Sequence, residues 1–150
     1  MRFLTPRLSQ LPKTTRATAT PAQLSSSFTL FLNAFLQMIR FDYFLCHGSF
    51  SKLHEAVHNC PLGTASADAD AVQRIVAAVD YATICYWKPV LCLQHSAVTA
   101  CLLKRFGIPA ELVIGAQLQP FKAHAWVEVG GRVVNDKPYV PEIYKVLDRC

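Results

Sequence analysis

The apolar pattern of the chain changes its period at Gly107, and this change limits the folds that are open to it. Between Ala71 and Trp87 the apolar residues recur every three or four positions, which is the period of an amphipathic helix. A second helix is predicted from about Cys92 to Phe106, because Gly107 suits the position after a helix and Pro109 prevents continuation. Short segments rich in β-branched residues follow and predict strands. Helices followed by strands indicate an α+β fold.

Three strands and two further helices complete the prediction. The dipeptide Gly130-Gly131 is a turn signal, so the second and third strands should form an antiparallel hairpin. A loop that ends at Asp70 should precede the helix beginning at Ala71. The strands are predicted at residues 110–116, 123–129 and 132–136, and the further helices at residues 28–45 and 50–60.

The net charge of +5 belongs to the beginning of the chain. No acidic residue precedes Asp42, whereas from Asp42 onward basic and acidic side chains are equal in number. A nucleic-acid-binding domain carries its basic excess on the folded body, so nucleic acid is not an expected partner. Residues 1–27 are rich in Ser, Thr, Pro and Arg, and we predict a mobile basic arm there. Organellar transit peptides share this composition and remain an alternative.

Residues 28–150 are predicted to form one domain that begins with an apolar helix at residues 28–45. A membrane span needs about 20 predominantly apolar residues, and polar side chains near its middle are costly. We therefore predict a helix that is buried or docks a partner, with membrane contact as the less favoured alternative. The polar residues that interrupt the helix are Asn33, Gln37, Arg40 and Asp42.

Six cysteines are present, at positions 46, 60, 85, 92, 101 and 150, and no two of them form a Cys-x-x-Cys pair. Disulfide frameworks occur mainly in small secreted chains that cannot build a sufficient core. Because hydrophobic residues make up 52% of this chain, we expect a core, free thiols and a cytoplasmic location.

Cys92 lies at the start of a predicted helix, a position that suits a cysteine nucleophile. The thiolate is the reactive form of cysteine, and a helix N-terminus together with a nearby imidazolium stabilises it. His124, on the second predicted strand, is the candidate base. A carboxylate on the next strand would hold its imidazole in one tautomer.

The register of the hairpin decides which side chain of the third strand faces His124. If residues 129–131 form a three-residue loop, His124 lies opposite Asp136 and Glu128 lies opposite Arg132. A two-residue Gly-Gly loop places His124 opposite Lys137 instead. The three-residue loop gives an ion pair and a catalytic pair together, so we prefer it.

Each of these residues also has an ordinary structural interpretation, since buried cysteines and hydrogen-bonded histidines are common. It is the order and predicted geometry of Cys92, His124 and Asp136 together that favour a catalytic triad. Asn135 has suitable chemistry for the third position, but the preferred register points it to the opposite face of the sheet. No cofactor is expected.

A zinc site is the alternative for a group of histidines and cysteines that precedes the triad. Zinc accepts two histidines and two thiolates, but the spacing here matches no familiar finger. We therefore predict no metal. The group consists of Cys46, His47, His54, His58 and Cys60.

Two runs of sequence resemble the transglutaminase-like cysteine peptidase domain of the lasso-peptide maturation proteins, the leader peptidases of the microcin-processing type. They are CLQHSAVTACLLKRFGIPAELVIGA and FKAHAWVEVGGRVVND. The resemblance is strong from about residue 70 to residue 136, weaker over residues 28–60 and absent from residues 1–27. The Cys, His and Asp of the family fall on Cys92, His124 and Asp136. It implies a papain/transglutaminase-like fold, with N-terminal helices packed against a small antiparallel sheet.

The resemblance implies hydrolysis of a precursor peptide between its leader and core segments. It also implies a separate leader-recognition protein as partner, because this chain has no room for the recognition domain that some members carry. An asparagine-synthetase-like, ATP-dependent cyclase acts next in such systems and is a further candidate partner. Acyl transfer to an amine and a non-catalytic peptide-binding module remain alternatives to hydrolysis.

One departure from the family is His95, where an arginine is usual three residues after the nucleophile. On a helix this position shares a face with Cys92. We expect His95 to tune packing or contact with the leader, so that the departure affects specificity more than catalysis.

Overall fold

The computed structural model describes residues 21–48, 50–64 and 70–150. In these ranges the chain forms helices that precede, and in one case interrupt, an antiparallel sheet. The helices are α1 (Pro21–Cys46), α2 (Phe50–His58), α3 (Ala71–Cys85), α4 (Cys92–Arg105) and α5 (Val140–Ile143). The strands are β1 (Ala110–Leu118), β2 (Phe121–Val129), β3 (Arg132–Val133) and β4 (Lys145–Arg149).

The four strands form one sheet in the order β3-β2-β1-β4, and each neighbouring pair is antiparallel. The predicted α+β class is therefore confirmed. Neither α5 nor β4 was predicted, although β4 completes the sheet by pairing with β1. Beyond the strand proper, the backbone N–H and C=O of Cys150 bond to Leu112, at 3.0 and 2.7 Å.

Helix α4 lies at the centre of the molecule and contacts α1, α2, α3, β1 and β2. Small side chains on this helix let its neighbours approach closely, and nine of its residues are buried. Among them, Ala97 and Ala100 have no exposed surface. The first residue of α4, Cys92, is exposed instead. Helix α4 is therefore buried along most of its length and exposed to solvent at its N-terminus.

The end of α4 follows the predicted pattern. Gly107 has a φ of 78°, and its N–H donates to Lys104 O at 2.9 Å. The N–H of Ile108 donates to Leu103 O at 3.0 Å. These two bonds form a Schellman motif, which satisfies the last carbonyls of the helix. The chain then enters β1 at Ala110, which fixes the helix relative to the sheet.

Helix α1 begins at Pro21, so residues 21–27 of the predicted arm belong to the helix. Residues 1–20 lie outside the described part of the chain. One face of α1 is buried and packs with α3 and α4, as predicted for a buried helix. Its opposite side chains are exposed, and docking of a partner there stays a prediction. The buried residues are Leu30, Ala34, Met38 and Phe41, and the exposed ones include Leu32, Leu36, Ile39 and Tyr43.

No helix in the described ranges is both long enough and apolar enough to cross a membrane.

The hairpin between β2 and β3 has the register that we did not prefer. Glu128 pairs with Val133 and Val129 with Arg132, so the turn contains only Gly130-Gly131. Both glycines have positive φ, 57° and 74°, the backbone that a two-residue type I′ turn requires. The predicted three-residue loop and the predicted Glu128–Arg132 ion pair are therefore wrong. The third strand is also shorter than predicted, since it ends at Val133.

Candidate active site

Cys92 is the first residue of α4, and its side chain is exposed. The preceding Leu91 is extended, so the chain turns into the helix at the cysteine itself. One turn later, the Ser96 hydroxyl donates to the carbonyl of Ala125 at 2.9 Å. Ala125 follows His124 directly, so this bond places the start of α4 beside the strand that carries the histidine. Within the described residues, no hydrogen bond joins the Cys92 Sγ to His124.

His124 and Asp136 form a close pair, with 2.6 Å between Nε2 and Oδ2. The predicted contact is therefore present, although the register from which it was predicted is wrong. It forms outside the strand pairing, since β3 ends at Val133 and the next residue makes a further backbone bond to β2, from Val134 N–H to Val127 O at 3.0 Å. The other carboxylate oxygen, Oδ1, accepts the backbone N–H of Lys137 at 2.7 Å. Since Asp136 occupies Nε2, the nitrogen left for proton exchange is Nδ1.

Asn135 holds this turn in place. Its Oδ1 accepts the backbone N–H of Val127 at 2.7 Å, and its Nδ2 donates to Ser96 Oγ at 2.9 Å. The amide thus ties the turn to both β2 and α4. The prediction that Asn135 points to the opposite face rested on the register that is wrong, and this structural role was not predicted. By fixing the residue before Asp136, it positions the carboxylate.

His95 connects the same turn to α3. Its Nε2 lies 2.9 Å from Asp80 Oδ1, and its Nδ1 lies 3.4 Å from Asn135 Nδ2. Since the amide nitrogen is a donor, Nδ1 accepts and Nε2 carries the proton that is shared with Asp80. Both ring nitrogens are therefore engaged within the protein, and the effect of His95 on packing or leader contact stays a prediction.

Two aromatic rings lie against the His124 imidazole. The ring centroid of Tyr144 is 5.1 Å away and that of Trp126 is 6.3 Å away. Trp126 is fully buried and packs beside the imidazole. Gly115 makes room for it, because a Cβ there would lie 2.8 Å from Trp126 Cη2. Tyr144 was not predicted as part of the site, because it lies between α5 and β4, neither of which was predicted.

The indole is fixed from its other end by a buried carboxylate. Trp126 Nε1 donates to Glu128 Oε1 at 2.8 Å, and Arg149 Nη1 donates to Glu128 Oε2 at 2.7 Å. Burial by itself raises the pKa of Glu128, but the hydrogen bonds from Arg149 and Trp126 outweigh it and lower the pKa below 4.5. Arg149 also donates to Glu111 at 3.0 Å. A network of charged side chains thus holds the Trp126 ring that packs against His124.

The residues of the alternative zinc site do not form a metal site. In the described ranges, no three His, Cys, Asp or Glu side chains are arranged to hold a metal ion. His54 pairs with Asp148 at 2.8 Å, and His47 Nδ1 lies 2.9 Å from the carbonyl of Tyr43. All six cysteines are free thiols, as predicted.

A family model described as the transglutaminase-like superfamily matches residues 35–149, which is most of the chain. The chain belongs to the transglutaminase-like superfamily. This transglutaminase-like chain is also 45% identical over 56 residues to the microcin J25-processing protein McjB of Escherichia coli. That stretch covers 37% of this chain and only 27% of McjB. No solved structure matches the chain significantly. The resemblance to microcin-processing proteins is thus supported by a partial match and by the family.

Proposed function

We propose that the chain is a cysteine endopeptidase that removes the leader from a ribosomally made lasso-peptide precursor. The observations that carry this proposal are the 2.6 Å pair of His124 and Asp136 and the exposure of Cys92 at the start of α4, the helix that bonds to Ala125 through Ser96. The match to a protein named for microcin J25 processing supports a peptide substrate of this kind. Membership in the transglutaminase-like superfamily supports acyl chemistry at a cysteine.

In the proposed mechanism, His124 Nδ1 takes the proton of the Cys92 thiol, and the thiolate attacks the scissile carbonyl. The tetrahedral intermediate collapses as the C–N bond breaks, and the imidazolium returns its proton to the departing amine. A thioester with Cys92 remains. His124 then takes a proton from water, the hydroxide attacks the thioester, and the thiol regains its proton as the acid product leaves. Asp136 keeps the imidazole in the tautomer with its proton on Nε2.

The start of α4 contributes to this reaction through its backbone. The first N–H groups of a helix have no partner within the helix and carry partial positive charge. The Cys92 N–H is the proposed oxyanion donor, since it belongs to the same residue as the attacking sulfur.

The proposed partners are a precursor peptide, a separate leader-recognition protein and an ATP-dependent cyclase that takes the released core peptide. The matched stretch spans about a quarter of the length of McjB.

The test is mass spectrometry of a candidate precursor incubated with the purified chain and a recognition protein. We expect two products whose masses add to that of the precursor plus one water. Cys92→Ala should abolish cleavage while leaving the circular dichroism unchanged. Cys85→Ser is the matched control, because Cys85 is also an exposed cysteine at a helix end. Cleavage that persists in Cys92→Ala would refute the proposal.

Acyl transfer is the second candidate, because the superfamily is named for that chemistry. An amine that attacks the thioester in place of water gives an amide. Adding a small primary amine to the same assay distinguishes the two reactions, since transfer yields a product heavier than the acid by the amine less one water.

A further inference from the structure

A second cleft lies at the far end of α4 from Cys92. It has a volume of about 480 Å³ and opens between α1, α2 and the last turns of α4. Three cationic side chains line it, Arg40 from α1, Lys52 from α2 and Arg105 from α4. Cys92 and Arg105 are the first and last residues of this 14-residue helix, so they lie roughly 20 Å apart. The cleft is therefore separate from the candidate active site.

The positive charge of this cleft is not neutralised by the protein. Within the described ranges, none of Arg40, Lys52 and Arg105 takes part in an ion pair. Glu55 is the acidic residue among the lining side chains, and it too has no ion-pair partner there. Three cations against one carboxylate leave an excess of positive charge in a concave site, where low-dielectric walls concentrate the field.

Two of the cations are held in place by neutral groups. With its amide oxygen facing α4, Gln37 accepts hydrogen bonds from both Nη1 and Nη2 of Arg105, each 3.1 Å long. Gln37 is only 5% exposed, so its side chain is held in place. Because the amide is neutral, it orders the Arg105 guanidinium without neutralising its charge. The guanidinium carbon of Arg40 lies 5.6 Å from the ring centroid of Phe44. Ordered cations lose less conformational entropy when a ligand binds.

We propose that this cleft binds an acidic segment of a peptide chain. Guanidinium and ammonium groups form charge-assisted hydrogen bonds with carboxylates, and arginine can do so with two parallel bonds. The rest of the lining suits a peptide better than an isolated ion. Phe44, Ala56 and Pro61 offer apolar surface for neighbouring side chains, and the Asn59 amide offers a donor and an acceptor for main-chain groups. This site does not depend on the chemistry proposed for Cys92.

The experiment measures binding of a fluorescent peptide of alternating glutamate and leucine to the full chain by anisotropy. The same peptide with glutamine in place of glutamate is the ligand control. We expect the glutamate peptide to bind, the glutamine peptide not to bind, and salt to weaken the interaction. Lys52→Glu should weaken binding about tenfold, since it removes one attraction and adds one repulsion. Arg105→Gln should weaken it several-fold.

Lys122→Glu is the matched protein control. It makes the same charge change at an exposed residue of β2, and Lys122 does not line the cleft. Equal weakening by Lys52→Glu and Lys122→Glu would show attraction to overall charge and would overturn the proposal. So would equal binding of the two peptides, absence of binding, or full displacement by inorganic phosphate at the peptide's own concentration. Should Arg105→Gln fail to fold, the exposed Lys52 still provides the test.

Discussion

The indole of Trp126 is hydrogen-bonded to the carboxylate of Glu128, two residues later on the same strand, at 2.8 Å. The two side chains share one face of β2 because alternate residues of a strand point the same way. His124 precedes them on that face, so the three side chains form a row along the strand. Arg149, from β4, bonds to the end of this row at Glu128. The position of the candidate base thus depends on the last strand of the sheet.

Glu128 should contribute more to stability than Glu111, although both accept a hydrogen bond from Arg149. Glu128 is buried, whereas Glu111 is exposed to solvent. We expect Glu128→Gln to lower the free energy of unfolding by about 2 kcal/mol, because it leaves a buried partner of Arg149 uncharged. Glu111→Gln should lower it by about 0.5 kcal/mol or less. Urea unfolding measures both, and equal losses would contradict the assigned role of Glu128.

The same carboxylate makes stability depend on pH. Its pKa in the folded chain lies below the ordinary value of 4.5, since hydrogen bonds from Arg149 and Trp126 outweigh the effect of burial. A carboxyl with a lowered folded pKa stabilises the protein above its ordinary pKa and loses that contribution as the pH falls through the folded value. The difference in unfolding free energy between wild type and Glu128→Gln should therefore shrink from neutral pH to about pH 3. A constant difference would contradict this.

Asp136 should contribute more to catalysis than Asp148, which forms a similar pair with His54. If the proposed triad operates, Asp136→Ala should lower kcat/KM for the precursor about a hundredfold or more, because the imidazole loses its orienting partner. Asp136→Asn should lose less, since an amide oxygen can still accept the Nε2 proton. The matched control is Asp148→Ala, which breaks the His54–Asp148 pair of 2.8 Å outside the site. Comparable losses in Asp136→Ala and Asp148→Ala would indicate a general structural effect.

The free thiols should differ in reactivity toward iodoacetamide. Cys92 and Cys85 are both exposed, but Cys92 begins α4 and Cys85 ends α3. The helix dipole favours a thiolate at the start of a helix and disfavours it at the end, so Cys92 should react faster. Burial raises the pKa of Cys101, and its thiol should stay unmodified until the protein unfolds. Peptide mapping by mass spectrometry follows each site, and faster modification of Cys85 would contradict the expectation.

Local pattern predicted α3, α4, β1 and β2 well, whereas α1 begins seven residues before its predicted start. Helix α3 and helix α4 were placed within two residues of their ends, and β1 and β2 were identified, because each has a sustained period or clear end signals. Helix α5 has four residues and β4 is largely exposed, so neither has a strong pattern of its own. The pairing of β4 with β1 is a long-range contact that the sequence does not display.

The candidate site was predicted in part for a wrong reason. The contact of His124 with Asp136 was expected from strand pairing, but it arises where the chain has left the sheet. What directs Asp136 toward the imidazole is the set of bonds made by Asn135, and these depend on where α4 lies. The pairing of β2 with β3 does not involve α4, so strand register alone could not predict the bond from Asn135 to Ser96.

Gly115 leaves the space that the Trp126 ring occupies beside the candidate site. It lies directly across from His124 in the pairing of β1 with β2, and any side chain there would collide with Trp126 and Tyr144. A methyl group at position 115 would displace the Trp126 ring, which packs against the imidazole. Among related chains, a residue larger than glycine at this position should therefore occur only together with a smaller residue at position 126. An engineer who alters the pocket around His124 has to treat these two positions as one unit.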